Sequence, residues 1–167
     1  MRMRYSDEWP DGMDTRIMAR AIALAVENVR AGRGGPFAAV VVKDGAVVAS
    51  GTNLVTSVGD PTAHAEVVAI REACRALRSF QLAGCELYAT CEPCPMCLGA
   101  IYWARPARVY FAASREDAAA AGFDDAFIYR ELARPAAERA IPLERVTVED
   151  AARPFEEWRA RAGKTEY

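Results

Sequence analysis

Histidine is almost missing from this sequence: His64 is the only one in 167 residues. Any chemistry that needs an imidazole, as base or as metal ligand, therefore depends on that residue. Long apolar runs are missing too. Strongly apolar runs such as Phe37 to Val42 fall far short of the ~18 residues of a membrane helix. The opening Met1-Arg2-Met3-Arg4-Tyr5-Ser6-Asp7-Glu8 has no apolar centre that would serve as a secretory signal. Positive charge is not in excess, with 21 Lys and Arg against 23 Asp and Glu and a formal net charge of −2. The overall field thus gives no reason to hold a polyanion such as tRNA or DNA. Five cysteines are an odd number and make no complete disulfide framework. These absences predict a cytoplasmic protein in a reducing environment, with neither membrane nor nucleic acid among its partners. Internal repeats, interdomain linkers and blocks of like charge are absent as well.

What is present suits one globular domain that buries a core without staples: 52% hydrophobic and 26% charged residues, with 11 Gly and 9 Pro. Residues 1–13 read as a polar N-terminal extension, and residues 14–167 as the domain. From Asp14, apolar residues recur at Ile17, Ala21 and Leu24, flanked by Met18, Ile22, Ala25 and Val29, up to Gly32. That spacing predicts an amphipathic helix with a glycine stop. Two β-rich runs, Phe37 to Lys43 and Ala46 to Gly51, flank Asp44-Gly45 and predict a tight hairpin. A helix is expected from His64 to Leu77 or Arg78, then a strand at Glu86 to Thr90. A further helix should end near Ala104 or Arg105, ahead of Pro106, and Arg108 to Ala112 reads as another buried strand. Helices between the later strands imply parallel crossovers and an α/β sheet. Beyond Ala113 the sequence predicts short helices at Asp117 to Gly122, from Phe123 and around Phe155 to Trp158, with a short strand at Val146 to Val148.

The chemistry gathers around Pro93-Cys94-Pro95-Met96-Cys97 and the single histidine. A metal that activates water needs three protein ligands and one open position, and zinc takes thiolate sulfur and imidazole nitrogen. Cys94, Cys97 and His64 supply that set. With Pro93 just inside a helix start, Cys94 and Cys97 are expected on one face of the first turn, where the positive helix end favours thiolates. Glu66, two residues beyond His64, is expected to point away from the ligand direction and to serve as the proton carrier. A structural alternative stands beside this one: with Cys91 as fourth ligand the site is closed and without chemistry. Taken singly, Asn53 is turn chemistry at a strand end. Asp124 and Asp125 are a polar helix start with one as N-cap, and Phe37, Trp103 and Phe123 are core aromatics.

H-x-E paired with P-C-x-x-C is the signature of zinc deaminases. The chain resembles the cytidine deaminase-like zinc hydrolases, and within them the bacterial guanine deaminases, from about Asp14 to Tyr167. The resemblance is carried by Gly34-Gly35-Pro36-Phe37, by Asp60-Pro61-Thr62-Ala63-His64-Ala65-Glu66, by Cys91 to Ala104 and by Ala121-Gly122-Phe123-Asp124-Asp125. The stretch Gly122 to Asp125 and the terminal Tyr167 point to the guanine branch; the others are shared with tRNA adenosine deaminases.

The resemblance implies a five-stranded mixed sheet flanked by helices on both faces, and one zinc per subunit on His64, Cys94 and Cys97. It implies hydrolysis of guanine to xanthine and ammonia, with Glu66 and Asp125 catalytic. By the same resemblance Phe37 stacks on the base, Asn53 and the Ala65 N–H bond its edge, and Trp103 lines the pocket. It also implies a homodimer in which residues 150–167 are exchanged, so that Tyr167 closes the partner's pocket. Guanosine, cytosine or ammeline remain alternative small-molecule substrates, since all present a similar amidine edge; adenosine in tRNA is the nucleic-acid alternative.

Overall fold

The computed structural model describes residues 12–166. Tyr167 and all but the end of the 1–13 extension therefore lie outside the described residues. The chain forms two compact units, the first running to Asp124 and the second from Asp125 onward.

The first unit opens with helix α1, Thr15–Arg30, whose first turn is capped by the Asp14 carboxylate accepting the Arg16 N–H. Strands β1, Ala38–Lys43, and β2, Ala46–Thr52, form the expected hairpin. Its turn has positive φ at both Asp44 (50°) and Gly45 (75°), the combination that matches the twist of paired strands. A four-residue helix α2, Val55–Val58, occupies what the sequence reads as a polar loop. Helix α3, Ala65–Leu77, strand β3, Cys85–Cys91, helix α4, Pro95–Ala104, and strand β4, Arg108–Ala113, follow. Helix α5, Arg115–Ala120, begins with a reciprocal capping box between Ser114 and Asp117.

The sheet order is β2-β1-β3-β4. β1 is antiparallel to both neighbours, while β3 and β4 are parallel and joined across α4. The sheet is mixed, as expected, but has four strands among the described residues rather than five. The stretch Val146 to Val148 does not pair: residues 142–148 carry no regular structure. Val146 is 74% and Val148 57% exposed. An isolated strand leaves its N–H and C=O groups without a ladder, so it forms only where an open edge receives it. β4 also differs from the expected buried strand. It is an edge, and of its residues only Tyr110 is buried.

Alternation along β1 explains the layering. Ala39 and Val41 point into one core with Leu87, Ala89, and residues of α3 and α4 such as Ala69, Ile70 and Ile101. Val40 and Val42 point into the other, against Tyr88, Tyr110 and the Met18 and Ala21 side of α1. Helices thus cover both faces of the sheet.

The second unit contains helix α6, Ala126–Ala133, a 3₁₀ turn at Ala136–Glu138 and helix α7, Arg153–Ala160. None of its described residues is buried. Its apolar side chains Phe127, Ile141, Val146 and Phe155 are all more than half exposed.

Candidate metal centre

Two helix starts build the site. Cys94 precedes Pro95, and a residue before proline is driven out of helical backbone. Cys94 is accordingly extended, at φ −64° and ψ 167°, and caps α4, whose first residue is Pro95. The helix therefore starts two residues later than a start at Pro93, and only Cys97 lies within its first turn. His64 caps α3 in the same way, at φ −68° and ψ 155°.

The first of these starts is held in place by close packing of α3 on β2. A Cβ on Gly51 would lie 2.5 Å from both the Ala65 carbonyl oxygen and the Ala69 nitrogen. Only glycine lets the helix settle on the strand at that distance.

The three expected ligands converge. His64 Nδ1 lies 3.6 Å from Cys94 Sγ and 3.5 Å from Cys97 Sγ, and the three ligand atoms all fall within 4.8 Å of one another. This set of two thiols and one imidazole suits zinc, and three ligands leave a tetrahedral ion one open position. The electrostatics agree with the donor set. The Cys97 thiol, then His64, hold the Cys94 thiol down at about 4, so it is a thiolate. Cys94 in turn, followed by burial and by Glu66, keeps the proton on Cys97. Binding a cation through both sulfurs requires that Cys97 give up its proton. Cys94, outweighing partial burial, raises the His64 pKa.

Glu66 is not turned away. Because His64 is extended rather than helical, the helical angle between the two positions does not apply, and the Glu66 side chain returns to the ligands. It is 8% exposed, and the Cys97 thiol donates to Oε2 at 3.4 Å. Burial, the largest cause, pushes its pKa up. Cys91 stands apart from the cluster, its thiol donating to the Ser114 carbonyl at 3.4 Å.

Beside His64 opens a cleft of about 470 Å³ lined by Gly32, Gly34, Gly35, Asn53, Val55, Thr56 and Phe123. Asn53 is buried, and its Oδ1 accepts the Gly35 N–H at 3.4 Å and the Val55 N–H at 3.3 Å. The donor Nδ2 is thus the atom left for a ligand. Phe37 meets Phe123 edge to face, ring centroids 5.0 Å apart. Ala65 opens α3, so its N–H is among the first helix donors without an intrahelical carbonyl. Trp103 is 64% exposed on α4 and does not line this cleft. Asp125 begins the second unit and stands at the N-cap position of α6 without a side-chain cap bond.

Sequence reasoning missed Gly51 and Asn28. For Asn28 a signal existed: it continues the stripe Met18, Ala21, Ala25 that α1 buries, so a polar residue occupies an apolar register.

Comparison with known proteins places the chain among related ones. Residues 12–113 match the model of the cytidine and deoxycytidylate deaminase zinc-binding region. The chain is 60% identical over 150 residues to a guanine deaminase of Bacillus subtilis (strain 168), covering 90% of this chain and 96% of that one. It superposes on the crystal structure of guanine deaminase from Bacillus subtilis with a TM-score of 0.91 at 58% identity, covering 93% and 99% of the two chains. A tRNA-specific adenosine deaminase of Aquifex aeolicus is 49% identical over 78 residues, 47% of this chain and 52% of that one.

Proposed function

Because the chain belongs to the cytidine and deoxycytidylate deaminase family of zinc enzymes, we propose that it hydrolyses guanine to xanthine and ammonia. The observation that carries this reading is the His64, Cys94, Cys97 cluster with Glu66 against it, opening on a cleft lined by Asn53. Near-full-length identity to a guanine deaminase selects the base.

His64, Cys94 and Cys97 would hold a zinc ion, which would supply Lewis acidity and an activated water at neutral pH. The chain's own residues handle base and protons. Glu66, buried and with raised proton affinity, takes the proton of the attacking water and delivers it to ring N3, which makes C2 electrophilic. Asn53, with its oxygen engaged by Gly35 and Val55, offers N–H to an acceptor on the purine edge. The Ala65 N–H offers a second donor. Phe37, already braced by Phe123, stacks on the base. Asp125 passes a proton to the departing amine, since ammonia leaves readily and amide ion does not.

The same reading includes a homodimer in which residues 150–167 are exchanged and Tyr167 closes the partner's pocket. Three features support it: the second unit buries no residue among those described, its apolar side chains stand exposed, and β4 is an open sheet edge. Closing the pocket would exclude water and strengthen the bonds that read the purine. The reading also places the protein in the cytoplasm. It is supported by the odd cysteine count and by the finding that no described helix is long and apolar enough to cross a membrane.

The test is ammonia release by zinc-loaded protein from guanine, guanosine, cytosine, ammeline and adenosine in tRNA, beside a Glu66→Ala control. Guanine turnover that disappears in the control is the expected result. Inert guanine with another base active would leave the zinc chemistry standing and refute the substrate.

A further inference from the structure

Asn28 is fully buried, at 0% exposure, and is neither one of the metal ligands nor one of the residues lining the cleft. Its Nδ2 donates to two backbone carbonyls, Asn53 O at 2.8 Å and Gly35 O at 3.0 Å. Both partners are acceptors, so the amide orientation is dictated by chemistry. Oδ1 in turn faces the Arg33 guanidinium at 3.5 Å.

The two carbonyls belong to the two walls of the cleft. Gly35 lies two residues before Phe37, and Asn53 reads the base in the function proposed above. The walls are also in direct contact: a Cβ on Gly34 would lie 2.1 Å from the Asn53 carbonyl oxygen. With both N–H groups of one amide engaged, the spacing of the walls is held from behind. That spacing also decides whether Asn53 Oδ1 keeps the Gly35 and Val55 N–H groups and so presents Nδ2 outward.

We infer that Asn28 is a positioning residue for base recognition: through the Gly35 and Asn53 carbonyls it sets the width of the cleft and the donor polarity of Asn53. The inference rests on the proposed purine function, and its test separates the two. Asn28→Asp is isosteric but replaces both donors with a carboxylate facing two carbonyls. Asn28→Ala leaves both carbonyls unpaired, and Asn28→Ser keeps one donor. Met18→Ala, on the same buried face of α1, controls for loss of stability alone.

Zinc content, thermal midpoint, kcat and KM for guanine, and the inhibition constant of xanthine are measured for each. In Asn28→Asp and Asn28→Ala, KM and the xanthine constant rise together by at least about tenfold, the scale of a buried hydrogen bond lost without replacement. Zinc stays at one per chain and kcat falls less than KM rises. Asn28→Ser is intermediate, and Met18→Ala lowers the midpoint without moving KM. Asn28 variants that keep wild-type KM, or that change only as Met18→Ala does, overturn the inference. So does failure of all three to fold while Met18→Ala folds. Guanine inert in the wild-type protein refutes the functional reading alone, and the KM comparison is then made on whichever base of the panel is turned over. If none is turned over, both fall.

Discussion

Glu66 and Cys97 meet between two helix starts: the thiol of one donates to Oε2 of the other at 3.4 Å, with both residues buried. The carboxylate is therefore a neighbour of the ligand set while remaining outside the cluster of His64, Cys94 and Cys97. A group in that place can carry protons between water and base without giving up a coordination bond.

Glu66→Gln keeps the shape of the side chain and removes its proton affinity. Turnover of guanine is expected to fall by at least about a hundredfold with zinc content unchanged. Near-normal ammonia release from zinc-replete Glu66→Gln protein would remove Glu66 from the mechanism.

Cys94→Ser and Cys97→Ser are expected to lose most of their zinc by metal analysis, whereas Cys91→Ser, whose thiol is engaged with the Ser114 carbonyl, retains it. Equal zinc loss in Cys91→Ser would favour the closed, four-ligand structural site.

Gly51→Ala drives a methyl group into the backbone of α3, with the Ala65 oxygen and Ala69 nitrogen each 2.5 Å from the new carbon. Helix and strand must part, at a cost of about 1–3 kcal/mol. His64 and Glu66, at the N-terminal end of that helix, shift with it. Chemical denaturation together with zinc titration measures both effects; a variant as stable as the parent contradicts the packing argument.

Val146→Asp and Val148→Asp put charge on side chains that stand 74% and 57% exposed. In the proposed dimer the exposed apolar side chains of the second unit face the second copy, so light scattering should show a dimer in the parent protein and a shift toward monomer in the variants. A monomeric parent would refute the exchange.

Deleting residues 163–167 removes the tail that closes the pocket in the proposed dimer. Activity should drop far more than the thermal midpoint; a truncated protein of equal activity would show that no lid operates.

Local patterns carried most of this molecule. The only histidine, the P-C-x-x-C spacing and the H-x-E pair named the ligand set, because zinc chemistry restricts residue type and number before any fold is known. Asp44-Gly45 announced the hairpin, because few residues accept the positive φ that both turn positions require. Tertiary structure decided what those patterns do not encode. The direction of Glu66 followed from an extended His64 backbone, and Cys94 became a cap because Pro95 follows it. β4 was buried in the sequence reading and is an edge in the sheet, since apolar composition does not say how many neighbours a strand has. The expected fifth strand failed for the same reason: a strand exists only with a partner, and pairing is a property of the assembled sheet rather than of three residues. Asn28 shows the limit most plainly. Its place in an apolar stripe was visible in the sequence, but the two carbonyls it joins lie 7 and 25 residues away, and only the folded chain brings them to one amide.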